Sequence, residues 1–201
     1  MDGTLLDSEP IAVNALSAGL SELGITSPVN LHESVIGRSA DGVHRWLVRE
    51  HGLALDFVAW EKRRHHHYMS LAGQLTGFEP AIKMWRELEA SGILQAVVSN
   101  SDRAIVDVNL RAAGLARPGL VTVSRNDLRR GKPDPEGYLR AAWLLRADPD
   151  ECVIIEDSLA GASAGIASGM MTMFVPHATA PAPMGVTWLK QMKDLLEIIG
   201  G

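Results

Sequence analysis

Four short polar clusters in this sequence could do chemistry together: Asp2-Gly3-Thr4 with Asp7, Ser99-Asn100-Ser101, Lys132-Pro133-Asp134, and Glu156-Asp157-Ser158. In chain order they supply a carboxylate, a hydroxyl, an ammonium and a carboxylate pair. Adjacent carboxylates suit a hard divalent cation such as Mg²⁺, which takes oxygen ligands and keeps waters. A serine hydroxyl and the N–H groups of a helix start suit phosphate oxygens. A lysine offsets the negative charge of both. The set fits phosphoryl transfer, in which positioning and electrostatics carry catalysis and a carboxylate serves as nucleophile or proton carrier.

The elements that must position these clusters can be read from apolar periodicity and its punctuation. Short apolar runs over 93–98, 120–123, 152–155 and 170–175 predict buried strands. Helices are predicted between and after them. One spans 102–113 and stops at Gly114, and one spans 135–146 with Asp134 as N-cap. Another spans 158–168 and stops at Gly169, and a closing helix covers 188–199. Strands alternating with helices imply right-handed βαβ units and a doubly wound, Rossmann-like parallel sheet, an α/β fold. Ligands of such sheets bind at the carboxyl ends of the strands, where Ser99 and Glu156 are expected.

The first third breaks this rhythm. Ser8-Glu9-Pro10 predicts a helix start with Ser8 as N-cap, and Gly24 a stop. Further helices are predicted over 39–50, 56–71 and 79–91. We therefore expect a core of residues 1–9 and 77–201 with an inserted α-helical cap over 10–76. The segment 176–185, rich in Pro and Ala, reads as an irregular connection.

Composition sets bounds. The chain has 201 residues, 46% hydrophobic and 21% charged, enough to bury a core. A net charge of -5 argues against nucleic acid as partner, since phosphate backbones need clustered Lys and Arg. The one cysteine, Cys152, excludes an internal disulfide and fits a reducing compartment. No apolar run has the ~20 residues of a membrane helix, and the first residues lack the features of a signal peptide. The expectation is a cytoplasmic protein, monomeric or weakly dimeric, with a small phosphorylated metabolite as partner and no nucleic acid or membrane.

In this order and spacing the clusters resemble the four motifs of the haloacid dehalogenase-like superfamily. Residues Asp2-Gly3-Thr4-Leu5-Leu6-Asp7-Ser8-Glu9 are similar to its first motif and Val97-Val98-Ser99-Asn100 to its second. Gly131-Lys132-Pro133-Asp134-Pro135 is similar to the third. Ile155-Glu156-Asp157-Ser158, with Gly161 after it, is similar to the fourth. The position of the helical insert resembles the β-phosphoglucomutase-like branch.

The resemblance implies an enzyme, a Mg²⁺-dependent phosphatase acting on a small phosphomonoester of the sugar-phosphate class through an aspartyl-phosphate. It implies Asp2 as general acid/base, with its main-chain carbonyl as a metal ligand. Ser99 would bind phosphate, and Asn100 phosphate or substrate. Lys132 would steady the nucleophile and the phosphoryl group. Asp157 would be a Mg²⁺ ligand, and Glu156 a ligand or the partner of one. Arg38, within Gly37-Arg38-Ser39, and Glu9 would contact substrate.

The resemblance also implies rivals. A β-phosphoglucomutase-like mutase is one, although its first cap helix carries a His and a Trp where this chain has Ala12 and Leu16. A protein that binds phosphorylated metabolites without turnover is another. The family's nucleophilic Asp sits two residues before its acid/base Asp, which here falls immediately before Met1. Asp7, five residues past Asp2, does not replace it. We expect a natural start further upstream that supplies the nucleophile. The alternative is a short form without the central strand, which would expose the edges of its neighbours.

Other features read as structural. His65-His66-His67 point different ways on a helix and read as a solvated face rather than a metal site. Lys62 lies in a charged stretch and reads as solvated. Trp46, Trp60, Trp85, Trp143 and Trp188 read as packing residues, as do Met170, Met171 and Met173. Cys152 reads as an inert small hydrophobe.

Overall fold

The computed structural model describes residues 1–36, 38–175, 183–195 and 198. The chain forms two compact units, Met1–Asp7 with Thr76–Gly201, and Ser8–Leu75.

The first unit is α/β. Strand β1 (Leu6–Asp7) pairs antiparallel with β2 (Thr76–Gly77), Leu6 opposite Gly77. Strand β3 (Ala96–Val98) runs parallel to β4 (Val121–Val123). Strand β5 (Val153–Glu156) runs parallel to β6 (Met171–Phe174), which pairs parallel with β7 (Thr187–Trp188). Four helices connect them: α5 (Glu79–Ala90), α6 (Arg103–Ala112), α7 (Glu136–Leu145) and α8 (Leu159–Ser168). Helix α5 buries Ala81, Ile82, Met84, Trp85 and Leu88, the 3-4 spacing of one helical face. Helix α8 instead buries Gly161, Ala162, Ala164 and Gly165. Small residues are required there, because a Cβ on Gly165 would overlap Thr172 of β6 and one on Gly161 would overlap the Glu156 carboxylate.

Among the described residues β3 has one ladder partner, β4, and β5 has one, β6. Between them lies a trough of about 430 Å³ lined by Val97 and Val98 on one side, Ile154 and Ile155 on the other, and by Met1 and Leu5.

The second unit is helical: α1 (Glu9–Glu22), α2 (Leu31–Val35), α3 (Ala40–His51) and α4 (Phe57–Leu71). Its core gathers Leu16, Leu20, Val43, Trp46, Leu47 and Trp60. Ser39 caps α3 by accepting from the Gly42 N–H. Asp56 caps α4 by accepting from the Ala59 N–H at 2.8 Å. Both are side-chain oxygens satisfying an orphan donor of the first turn. Gly52 closes α3 with φ 70°, the left-handed stop that glycine favours.

Several expectations are corrected. Ser8 precedes α1 but its side chain does not cap it, since its backbone is already helical. The strand expected over 93–98 forms only at Ala96–Val98, and Ile93 and Leu94 are exposed. The closing helix does not start at Trp188. Trp188 pairs in β7 opposite Phe174, its ring edge-on at 5.2 Å, so cross-strand packing overrides the helical pattern. The end of that expected helix, Gly37 and residues 176–182 lie outside the described residues. Trp143 is 75% exposed on α7, and Met171 is exposed while Met170 and Met173 are buried. The histidines are not simply solvated: His65 faces Glu61 at 3.3 Å and His67 faces Glu22 at 3.2 Å. Cys152 sits just ahead of β5, half-buried. Burial and the acidic neighbours Asp148 and Glu151 push its thiol up, which keeps it unreactive.

Candidate active site

Strand ends and helix starts bring the four clusters of the α/β unit into contact. Ser99 directly follows β3, where its backbone N–H donates to Val123 of β4. Its hydroxyl, nearly buried, donates to Asp2 Oδ2 at 3.1 Å, and Ser101 Oγ donates to the same oxygen at 3.0 Å. The amide of Asn109, on α6, donates to Asp2 Oδ1 at 2.8 Å. Both oxygens of Asp2 are therefore held by neutral donors, from the loop after β3 and from α6.

A second cluster forms around Glu156, the last residue of β5. Lys132 Nζ forms an ion pair with Glu156 Oε1, and both side chains are almost completely buried. Tyr138 Oη donates to the same oxygen at 2.5 Å. The Lys132 ammonium lies 5.1 Å from the centre of the Tyr138 ring, within reach of a cation–π attraction. Glu156 Oε2 accepts from Ser158 Oγ at 3.1 Å and from the backbone N–H of Asp157. Asn100 links the second and third clusters. Its Oδ1 accepts from the Lys132 N–H at 2.8 Å and its Nδ2 donates to the Lys132 carbonyl at 3.2 Å.

Asp157 begins the turn into α8. Thr4 Oγ1 donates to its Oδ1 at 2.7 Å, while its Oδ2 lies against the bare α-carbon of Gly3. Gly3 has φ +68°, a left-handed conformation that glycine adopts without steric penalty.

Electrostatics separate the two adjacent carboxylates. Burial disfavours a charged Glu156, but the Lys132 ammonium outweighs it, aided by the Met1 ammonium and the Tyr138 hydroxyl. The group is held at about 2. Burial raises Asp157, and the charge on Glu156 raises it further. Burial and the same carboxylate push the Tyr138 phenol far up, so it stays a donor. One carboxylate thus has its own cation, and the other lacks full compensation. That is the arrangement a divalent cation would complete. The carboxylate of Asp157 fits Mg²⁺, which takes such oxygen ligands. Glu156 fits the role of partner better than that of ligand, because both its oxygens already accept from Lys132, Tyr138, Ser158 and the backbone.

The sequence placed Asp2, Ser99, Asn100, Lys132, Glu156 and Asp157, and the structure brings these together. Arg38 and Glu9 belong to the helical unit. There the Arg38 guanidinium lies 5.6 Å from the Trp46 ring centre, and Glu9 faces His32 at 2.6 Å. Sequence reasoning gave no role to Thr4, Ser101, Tyr138 or Asn109. For Asn109 a signal existed: it is a polar residue inside the apolar stripe of Ile105, Val106 and Leu110.

Comparison with known proteins adds a family and a fold. The family model described as haloacid dehalogenase-like hydrolase matches residues 1–169. Hexitol phosphatase A of Escherichia coli K12 is 32% identical over 183 residues, covering 91% of this chain and 83% of that one. A plasmid-borne phosphoglycolate phosphatase of Cupriavidus necator is 30% identical over 204 residues, covering 98% and 88%. The crystal structure of CbbY from Rhodobacter sphaeroides in complex with phosphate superposes with a TM-score of 0.85. It shares 20% identity and covers 97% of this chain and 93% of that one, a likeness of fold.

Proposed function

This chain belongs to the haloacid dehalogenase-like hydrolase family, and we propose that within it the chain is a Mg²⁺-dependent phosphatase acting on a small phosphomonoester of the sugar-phosphate class. The observation that carries this reading is the pairing of a cation-matched carboxylate, Glu156, with a buried one whose charge is only partly offset, Asp157, beside the Asp2–Ser99 contact. The relatives named as phosphatases of hexitol phosphates and phosphoglycolate support the substrate class.

In the proposed cycle an aspartate carboxylate attacks phosphorus and the ester P–O bond breaks. Asp2 gives its proton to the leaving alkoxide. Asp2 then takes a proton from water, whose oxygen attacks phosphorus, and inorganic phosphate leaves with the aspartate restored. Lys132, oriented by Glu156 and Tyr138, offsets charge on the phosphoryl oxygens, and the Ser99 hydroxyl, leaving Asp2 Oδ2 to Ser101, turns with nearby N–H groups to bind them. Bound Mg²⁺ would supply positive charge against the same oxygens. Asp157 and the Asp2 carbonyl are the proposed ligands.

The nucleophile of this cycle is proposed to be an aspartate joined directly ahead of Met1. Two features support it. Met1 and Glu156 line one trough, so a residue joined ahead of Met1 adjoins the same cluster. The trough between β3 and β5 is lined by Met1 and has unfilled strand edges on both sides among the described residues. Residues 8–75 are proposed as the cap, with Arg38 and Glu9 selecting substrate through charge and hydroxyl contacts.

The test is phosphate release from a panel of sugar and polyol phosphates, with Mg²⁺ or EDTA, by this chain and by one extended to place an Asp before Met1. Mg²⁺-dependent release by the extended chain alone supports the whole reading. Isomer conversion without free phosphate would replace it with a mutase. Tight phosphate binding with no turnover by either form would replace it with a binding protein.

A further inference from the structure

Helix α6 carries a residue that packing does not explain. Asn109 is 0% exposed, among Ile105, Val106 and Leu110 on the buried face. An amide buried on such a face is destabilising unless it is hydrogen-bonded. Its Nδ2 donates to Asp2 Oδ1 at 2.8 Å, across 107 residues of sequence. The Ser99 and Ser101 hydroxyls hold the other oxygen.

We infer that Asn109 is a positioning residue for the reaction, fixing the rotamer of the Asp2 carboxylate so that one oxygen meets the leaving group and then the attacking water. This rests on Asp2 being the acid/base of the proposed phosphatase.

The geometry gives the reason a third donor is needed. Asp2 pairs with Leu6 in an isolated parallel bridge just ahead of a turn, outside any helix. Ser99 and Ser101 bind one oxygen, and Asn109 grips the other, so the contacts at the two oxygens together define the plane of the carboxylate. It comes from a helix packed in the core, a more rigid support than either loop serine. A leucine of similar size at 109 would keep the apolar packing of α6 and lose the donor to Asp2 Oδ1.

The experiment compares Asn109→Leu and Asp2→Asn with the parent, in the form of the chain that turns over. The substrates are p-nitrophenyl phosphate and an alkyl sugar phosphate. The nitrophenolate leaves without protonation, so its first-turnover burst should survive in Asn109→Leu. Its steady-state rate should fall, because Asp2 no longer activates water well. The alkyl phosphate should lose at least ~10-fold in kcat with KM and Mg²⁺ affinity unchanged, a fraction of the roughly 10²–10⁴ that a proton-transfer group contributes. Loss of burst and steady state alike, a change in KM alone, or parent-like kinetics would overturn the inference.

If Asp2→Asn is fully active, the acid/base reading falls and this inference with it. If Asp2→Asn is dead and Asn109→Leu is parent-like, only the inference about Asn109 falls. A second readout needs neither turnover nor a folded Leu variant. In the chain as given, the Asn109 side-chain amide resonances should shift on Asp2→Asn. Unmoved resonances would overturn the contact itself.

Discussion

The α-carbon of Gly3 lies directly against the Asp157 carboxylate, with no room for a methyl group between them. The first and last clusters of the site, far apart in sequence, therefore meet through a missing side chain. Gly3→Ala would strain the left-handed backbone, by about 1 kcal/mol or more, and also push Asp157 off its position. We predict a fold that persists, Mg²⁺ activation shifted to higher concentration, and at least ~100-fold lower kcat/KM, by the sensitivity of such sites to small displacements. Unchanged Mg²⁺ dependence in Gly3→Ala would contradict the placement of Asp157 as ligand.

Lys132 and Glu156 form a buried pair, so removing one partner strands the other. Lys132→Met should lower unfolding free energy by roughly 3 kcal/mol or more, while Lys132→Met with Glu156→Gln should recover much of it. Denaturant unfolding of the two variants measures this. A purely additive double variant would show that the two side chains do not compensate each other.

Tyr138 should separate two effects. Tyr138→Phe keeps the ring under the Lys132 ammonium and removes the donor to Glu156. Losing a hydrogen bond to a buried charged acceptor costs about 2 kcal/mol. Tyr138→Leu removes both contacts and should lower stability and kcat further. Equal stability of the Phe variant and the parent would mean that the hydroxyl does not hold Glu156.

In the helical unit, Glu61 gives a pH signature. Burial opposes its charge, but hydrogen bonds from His65 and Arg64 prevail and hold it at about 2, below its ordinary 4.5. A depressed folded value stabilises the fold above the unfolded value and loses that contribution as pH falls. Stability from Glu61 should be present above pH 4.5 and vanish toward pH 2. Its size is on the order of 2 kcal/mol, allowing for partial solvent screening. Thermal unfolding of Glu61→Gln should show a flatter pH profile across that window, and an unaltered profile would exclude this source.

Much of this was legible in the sequence because it was local. The stops at Gly24, Gly114 and Gly169, each with a positive φ, act within one turn, so residue type alone reveals them. The candidates Ser99, Asn100, Glu156 and Asp157 were legible because they stand at the ends of β3 and β5, where polar residues interrupt apolar runs. The contacts of Tyr138 and Asn109 were not, because they join residues 18 and 107 positions apart through the tertiary fold. Trp188 misled for the same reason. Its helical spacing is real, but parallel pairing with Phe174 decides its conformation. Helix α2, with 5 residues, is too short to leave a periodic trace.

The central claim is that Asp157 and its neighbours hold a cation for phosphoester hydrolysis. The most direct measurement is phosphate release from a polyol phosphate as Mg²⁺ is titrated, in the chain extended by an Asp before Met1 and in its Asp157→Asn variant. The account predicts saturable Mg²⁺ activation that EDTA abolishes and that the variant loses. Release that is indifferent to EDTA, or an Asp157→Asn variant with the parent's Mg²⁺ curve, would contradict it.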